Sequence, residues 1–376
     1  ISFRDIVIQE RENDLVGASF GRGFFVLDDY SALREMTEEN LSKKGKLFKP
    51  RDAKLFKPRN SLGNTGGQFY IAKNPTYGAV FTYHLSDVPS TSKSKRMRSE
   101  RILNKDMKDI PFPGYEALAA EMEEKSASII LTIKDSDGNH IRNIKKTASK
   151  GSGKIAWNLR HKSYYPVRAG RSQSSWYYNP SGPYVTPGEY HAELFMEKDG
   201  TVEKLDGPIS FNVKPLRKGT LQGSSYDEYN SFRTKLSSLY IDISKYEDEF
   251  RLMDNKIQIL EKAAMQLETF SPEMLKKIAD MKNKYNKLEL EYESNPARDE
   301  IGEWDKVTLS TRIRIAMQGL STSYGPTELN ISNLDIAQKM FNDYKVVIES
   351  LKSELENLEK EVKDLNPPHI SGSGIN

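Results

Sequence analysis

The sequence predicts a multidomain protein, β in its first part and α in its last. It comprises strands too few to close a core, then an Ig-like β-sandwich, then an antiparallel helical bundle with long, coiled-coil-like helices. Three observations carry this. Short β-type runs bounded by turn residues recur up to about position 215. Apolar residues spaced alternately four and three apart dominate positions 232–365. At 376 residues the chain has room for two or three domains, each with its own core.

Residues 1–35 contain "IVIQ" at 6–9, "LVGASFG" at 15–21 and "GFFVLDD" at 23–29, joined by "EREND" and "GRG". Two or three strands cannot bury both faces by themselves, so these are expected to join a sheet supplied by something else. Residues 36–65 read as an extended strap or linker in which "KLFKPR" at 46–51 recurs at 54–59. Each proline keeps its predecessor extended. The strap is expected to press Leu47, Phe48, Leu55 and Phe56 onto a neighbouring surface and to leave its Lys and Arg in solvent.

Residues 66–215 give the sandwich. Strands are expected at 78–85, 127–135, 140–146, 153–159, 188–197 and 207–215, with "DSDGN" and "KDG" as hairpin turns whose Gly and Asn accept positive φ. A charged insertion at about 90–125 interrupts it, and "GYEALAAEMEEKSA" in its second half reads as helix.

Residues 224–366 carry three heptad seams. The first runs from Phe232 through Leu236, Leu239, Ile243, Tyr246, Phe250, Met253, Ile257, Leu260 and Ala264 to Leu267. "SYDE" at 225–228 is a capping box that opens a helix of roughly 65 Å. Ser271 and Pro272 start a second helix along Met274, Ile278, Met281, Tyr285 and Leu288. The third seam runs from Ala337 to Leu365, and a shorter helix near 310–320 is expected across one end of the bundle. Residues 367–376 read as a flexible tail.

Composition narrows the function. With 37% apolar and 29% charged residues the chain is polar for a globular enzyme, yet 10% aromatic content is too high for a disordered one. A net charge of only +3 gives no field that would recruit nucleic acid. The absence of cysteine excludes disulfides, Cys-ligated zinc, Fe–S clusters and thiol catalysis. No apolar run reaches membrane-span length, so the chain is not expected to span a membrane.

The sequence holds no recognisable catalytic residue, metal set or cofactor motif. His84, His140, His161, His191 and His369 lie at no ligand spacing. "GNTGG" at 63–67 lacks the Lys-Ser/Thr of a phosphate loop, and "DSDGN" lacks the later acid of a calcium loop. Asp28 and Asp29 are adjacent, so on a strand they point to opposite faces and make a poor acid–base pair. One segment, "SYYPVRAGRSQSSWYYNPSGPY" at 163–184, is unusually aromatic. Its candidate ligand-binding residues are Tyr164, Tyr165, Arg168, Trp176, Tyr177 and Tyr178. Exposed rings stack on sugars and arginines bond hydroxyls or carboxylates. The competing and stronger expectation is that these rings cover the end of the sandwich or dock on a neighbouring domain.

With the elements placed, "FRDIVIQERENDLVGASFGRGFFVLDDYSALRE" resembles the closing blade of bacterial sortilin-like, BNR-repeat β-propeller proteins, which are often catalogued as glycosyl hydrolases. The resemblance continues through "AKLFKPR", "NPTYGAVFTYHL", "IILTIKDSDGNHIRNI", "GSGKIAWNLRH", "GPYVTPGEYHAEL" and "STSYGPTELN". It implies terminal propeller strands at 1–35, with earlier blades preceding Ile1. No Asp-box of the S-x-D-x-G-x-T-W kind occurs in the 376 residues. Any catalytic acids of such an enzyme belong to the propellers, so none is assigned here. The expectation is a non-catalytic scaffold or protein-interaction region of an exported bacterial protein, in the periplasm, at the outer membrane or outside the cell. Its expected partners are its own upstream propeller and cell-envelope proteins. The alternative is a carbohydrate-binding accessory region of a secreted glycoside hydrolase, with a glycan as partner.

Overall fold

The structure, a computed structural model, describes residues 2–58, 74–167, 181–217, 219–268 and 270–368. The chain is mixed α and β, as its patterning predicts, and divides into two compact units. The first is 1–162 with 184–218; the second is 163–183 with 219–376.

The first unit opens with β1 (Phe3–Gln9), β2 (Asp14–Ser19) and β3 (Gly23–Leu27), an antiparallel three-stranded sheet of its own. Two short helices follow, α1 (Ser31–Arg34) and α2 (Glu38–Ser42). Next come β4 (Gly45–Leu47), β5 (Ala53–Leu55), β6 (Ala79–Leu85), α3 (Ser92–Lys105), α4 (Tyr115–Glu123), β7 (Ser128–Asp135), β8 (His140–Thr147), β9 (Gly151–Trp157) and β10 (Arg160–Lys162). After β11 (Ser181–Tyr184), β12 (Gly188–Lys198) and β13 (Thr201–Pro215) complete the strands.

Two sheets share one core. One has the order β5-β13-β12-β7-β8, the other β4-β6-β9. Period-two burial is plain in β6, where Ala79, Phe81, Tyr83 and Leu85 are buried and the residues between them are half-buried. Phe81 of the smaller sheet meets Phe211 of the larger edge-on at 5.1 Å, and Trp157 lies 5.2 Å from Tyr190 and 6.0 Å from Phe211. The Trp157 indole N–H donates to the Arg160 carbonyl at 2.9 Å, so burying the ring strands no donor. Gly78 has φ of 109°, and a Cβ there would stand 2.0 Å from the Trp157 carbonyl oxygen. Only glycine fits this approach.

The duplicated motif is not a featureless strap. Its first copy pairs Gly45–Leu47 antiparallel with β6, and its second pairs Ala53–Leu55 parallel with β13. The repeat therefore contributes an edge strand to each sheet. Leu47 and Phe48 are fully buried, while Leu55 is half-buried and Phe56 packs edge-on to Tyr77 at 4.9 Å. The basic residues are not all left in solvent. Lys46 bridges to Asp206 at 3.0 Å, and the Arg51 guanidinium donates to the Glu12 carbonyl at 3.3 Å and lies 3.6 Å from the Asp14 carboxylate. The charged insertion forms helices in both halves. Neither α3 nor α4 buries a residue.

The second unit contains α5 (Tyr226–Ala264), α6 (Pro272–Tyr292), α7 (Pro296–Glu300), α8 (Leu309–Gln318) and α9 (Glu328–Asp364). The 39 residues of α5 extend about 58 Å. Its capping box forms as expected between Ser225 and Glu228, and Ser271 caps α6 with Pro272 at its first position.

Contacts between the helices fix their directions. Tyr246 bonds Glu349, Lys352 bonds Glu249 and Lys256 bridges to Glu359, so α5 and α9 run parallel. Glu247 bonds Tyr292, Phe250 stacks on Tyr285 and Asp254 bonds Lys282, so α6 runs antiparallel to α5. The bundle is thus up-down-up, with its first and third long helices parallel and the second antiparallel to both. Nearer the start of α5 the third position is taken by α8, where Leu309, Ile313 and Ala316 pack with Leu236, Leu239 and Phe341. Asn330, buried in the first turn of α9, donates to the Ile315 carbonyl at 2.7 Å and accepts from the Thr327 amide, joining α8 to α9. No described helix is long and apolar enough to cross a membrane.

Candidate functional site

The sheet β1-β2-β3 is unusual in what it leaves uncovered. Its register sets Ile6, Gly17 and Phe25 side by side, and likewise Ile8, Leu15 and Leu27. Strand alternation puts these on one face. Phe3 folds over Gly17, where a Cβ would come within 2.8 Å of the ring, and meets Phe25 edge-on at 5.7 Å. The opposite face carries Val7, Val16, Val26, Ala18 and Phe24 by the same register. Both faces are therefore apolar along their middle, with Asp5, Gln9 and Asp14 at the ends of the second.

Neither face is covered. Phe24 is 78% exposed, Ile6 59% and Phe3 51%, and every residue of β3 is exposed. Isolated apolar residues on a surface need no explanation, but a sheet apolar on both sides with neither covered does. A shallow hollow lined by Phe3, Ile6, Leu15, Phe25 and Leu27 marks the centre of one face. Polar contacts hold the sheet to its unit: Arg51 bonds Glu12, and the Lys154 ammonium donates to the Asp28 carbonyl at 2.9 Å. The Asp29 carboxylate accepts from the amide and hydroxyl of Ser31 and closes the turn out of β3, with Asp29 at φ of 47°. Asp29 thus has a structural partner in Ser31, and Arg51, expected in solvent, ties the sheet to its unit instead.

The aromatic segment belongs to the helical unit. Tyr164 and Tyr165 are half-buried, stack on each other at 5.1 Å, and each meets Tyr240 of α5 edge-on at 5.2 Å. Burial pushes the Tyr164 phenol well above its usual range, with Tyr165 and Tyr240 reinforcing the shift; burial raises Tyr165 as well. Both phenols are neutral at physiological pH. This is a packed aromatic cluster, and Tyr240 was legible only as a tyrosine one position off the heptad seam. Arg168, Trp176, Tyr177 and Tyr178 lie outside the described residues.

Among the described residues no three His, Asp or Glu side chains gather where a metal ion could be held. The buried and half-buried carboxylates Glu193 and Asp206 are each tied to structural partners. Glu193, nearly buried on β12, takes Lys134 at 2.7 Å and Lys204 at 2.5 Å. Asp206 accepts from the Leu47 amide at 2.8 Å and is drawn to Lys46. No protein-family profile matches the chain, and no curated protein matches it.

Proposed function

We propose that the chain is a non-catalytic scaffold and protein-interaction region of an exported bacterial β-propeller protein, and that β1-β2-β3 is the part that meets the propeller. The observation that carries this is the sheet with two uncovered apolar faces. A sheet that is apolar on one side fits the edge of a two-layer core; one apolar on both sides fits the interior of a stack, between two further layers. Propeller blades pack in that way around a ring. The resemblance of residues 3–35 to a closing blade supports the same assignment. In this reading the two-sheet body is an Ig-like β-sandwich, the bundle is a rigid spacer, and the parent protein works in the periplasm, at the outer membrane or outside the cell.

The test is made on the natural protein. Its polypeptide is expected to exceed 42.9 kDa, and the preceding region, produced separately, is expected to bind this chain and to lose binding on Phe24→Lys. A natural polypeptide without preceding β-sheet repeats refutes the proposal. Binding to a glycan array that disappears on Trp176→Ala supports the carbohydrate-binding accessory region instead.

A further inference from the structure

We infer that the helical hairpin 92–123 is a self-association element, in which α3 of one copy of the chain lies on α4 of the next. This stands on different residues from the proposed function and is independent of it. The hairpin is built by polar bonds. Arg96 of α3 grips Glu121 of α4 through two hydrogen bonds of 2.8 Å, and also bonds Glu100 at 2.6 Å. Glu124 accepts from the Ser92 amide at 2.6 Å and from Lys198 of β12 at 3.1 Å. Neither helix buries a residue, yet Met97, Ile102, Tyr115 and Met122 are large, apolar and exposed. Short helices gain their stability by burying a face, and these bury none within the chain.

Charge identifies the occupant. α3 carries six basic side chains and one acid; α4 carries three acids and no base. Arg96 and Glu121 are spent on each other. On the far side of α3, at helical spacing, stand Arg98, Arg101 and Lys105; on the far side of α4 stand Glu116 and Glu123. Among the described residues none of these five forms a salt bridge. Arg98 to Lys105 and Glu116 to Glu123 are each seven residues, about 10.5 Å along a helix. An antiparallel approach sets Arg98 against Glu123 and Lys105 against Glu116, with Met97 on the flank that Tyr115 and Met122 share. Ala119 lies between the two glutamates and permits close approach. An anionic membrane would attract α3 and repel α4, whereas a second copy satisfies both. Because the two stripes face away from each other, the contact is heterologous and propagates head to tail.

Sedimentation velocity on the whole chain, from about 1 to about 100 µM and with salt from about 0.05 to about 0.5 M, tests this. Wild type is expected to self-associate at low salt and at least tenfold more weakly at high salt. Arg98→Glu/Arg101→Glu/Lys105→Glu and Glu116→Lys/Glu123→Lys should each remain monomeric alone, with unchanged circular dichroism. Mixed in equal amounts, the two variants should associate. A wild type that is monomeric throughout, variants that associate like wild type, or a mixture that fails to associate would each overturn the inference. Association that persists in high salt and in both variants would point to the apolar β1-β2-β3 sheet instead.

Discussion

Glu193 shows how single residues hold the two-sheet unit together. It sits on the central strand β12 with only 8% of its surface exposed, and both carboxylate oxygens are occupied by lysines from neighbouring strands. The hydrogen bond from Lys134, then that from Lys204, holds its pKa below the usual glutamate range against the opposing effect of burial. A carboxylate with a depressed native pKa stabilises the fold fully above its unfolded value, about 4.3, and that stability is lost as pH falls through the native value. Glu193→Gln should therefore cost about 1–2 kcal/mol at pH 7, between the values for exposed and buried pairs. The difference from wild type should shrink as pH falls below about 4. Chemical denaturation at pH 7 and pH 3 measures it, and a constant difference would mean that Glu193 titrates alike in the folded and unfolded chain, so that its lysine partners add no stability.

The helices were the elements most legible in the sequence, and the reason is physical. A 4-3 seam keeps one face toward a partner for many turns, so Phe232 to Ala264 reads as one helix without knowing what it packs on. Partner choice was less legible: a seam records that it is buried, not against which helix or in which direction. That is why the parallel run of α5 with α9 emerges only from pairs such as Lys256–Glu359. α3 is not legible for the opposite reason, since a helix with no buried side has no apolar period to read. The strands β4 and β5 were hidden by their three-residue length and by the prolines after them. In the candidate sheet, the three strands and their need for more sheet were legible, but Arg51 was not, because a contact across 39 residues leaves no local pattern. The seam itself makes a sharp test. Leu260 is 0% exposed and its neighbour Glu261 is on the solvent side. Leu260→Asp should destabilise the bundle by about 3–5 kcal/mol, whereas Glu261→Lys should change it by about 0.5 kcal/mol or less. Equal shifts in thermal unfolding of the two variants would contradict the packing.

The whole molecule is divided by one contrast. The two-sheet core and the bundle each bury their apolar residues, while β1-β2-β3 presents Phe3, Ile6, Phe24 and Phe25 to solvent from two faces. A partner that covers those faces must remove apolar surface from water, the term that dominates most protein association. Hydroxyl-radical footprinting, read residue by residue by mass spectrometry, compares their exposure in this chain alone and in the natural protein. Heavy labelling of Phe3, Phe24 and Phe25 is expected in the isolated chain and strong protection in the natural protein, with Phe81 and Leu260 protected in both. Equal labelling of Phe3, Phe24 and Phe25 in the two samples would contradict this expectation.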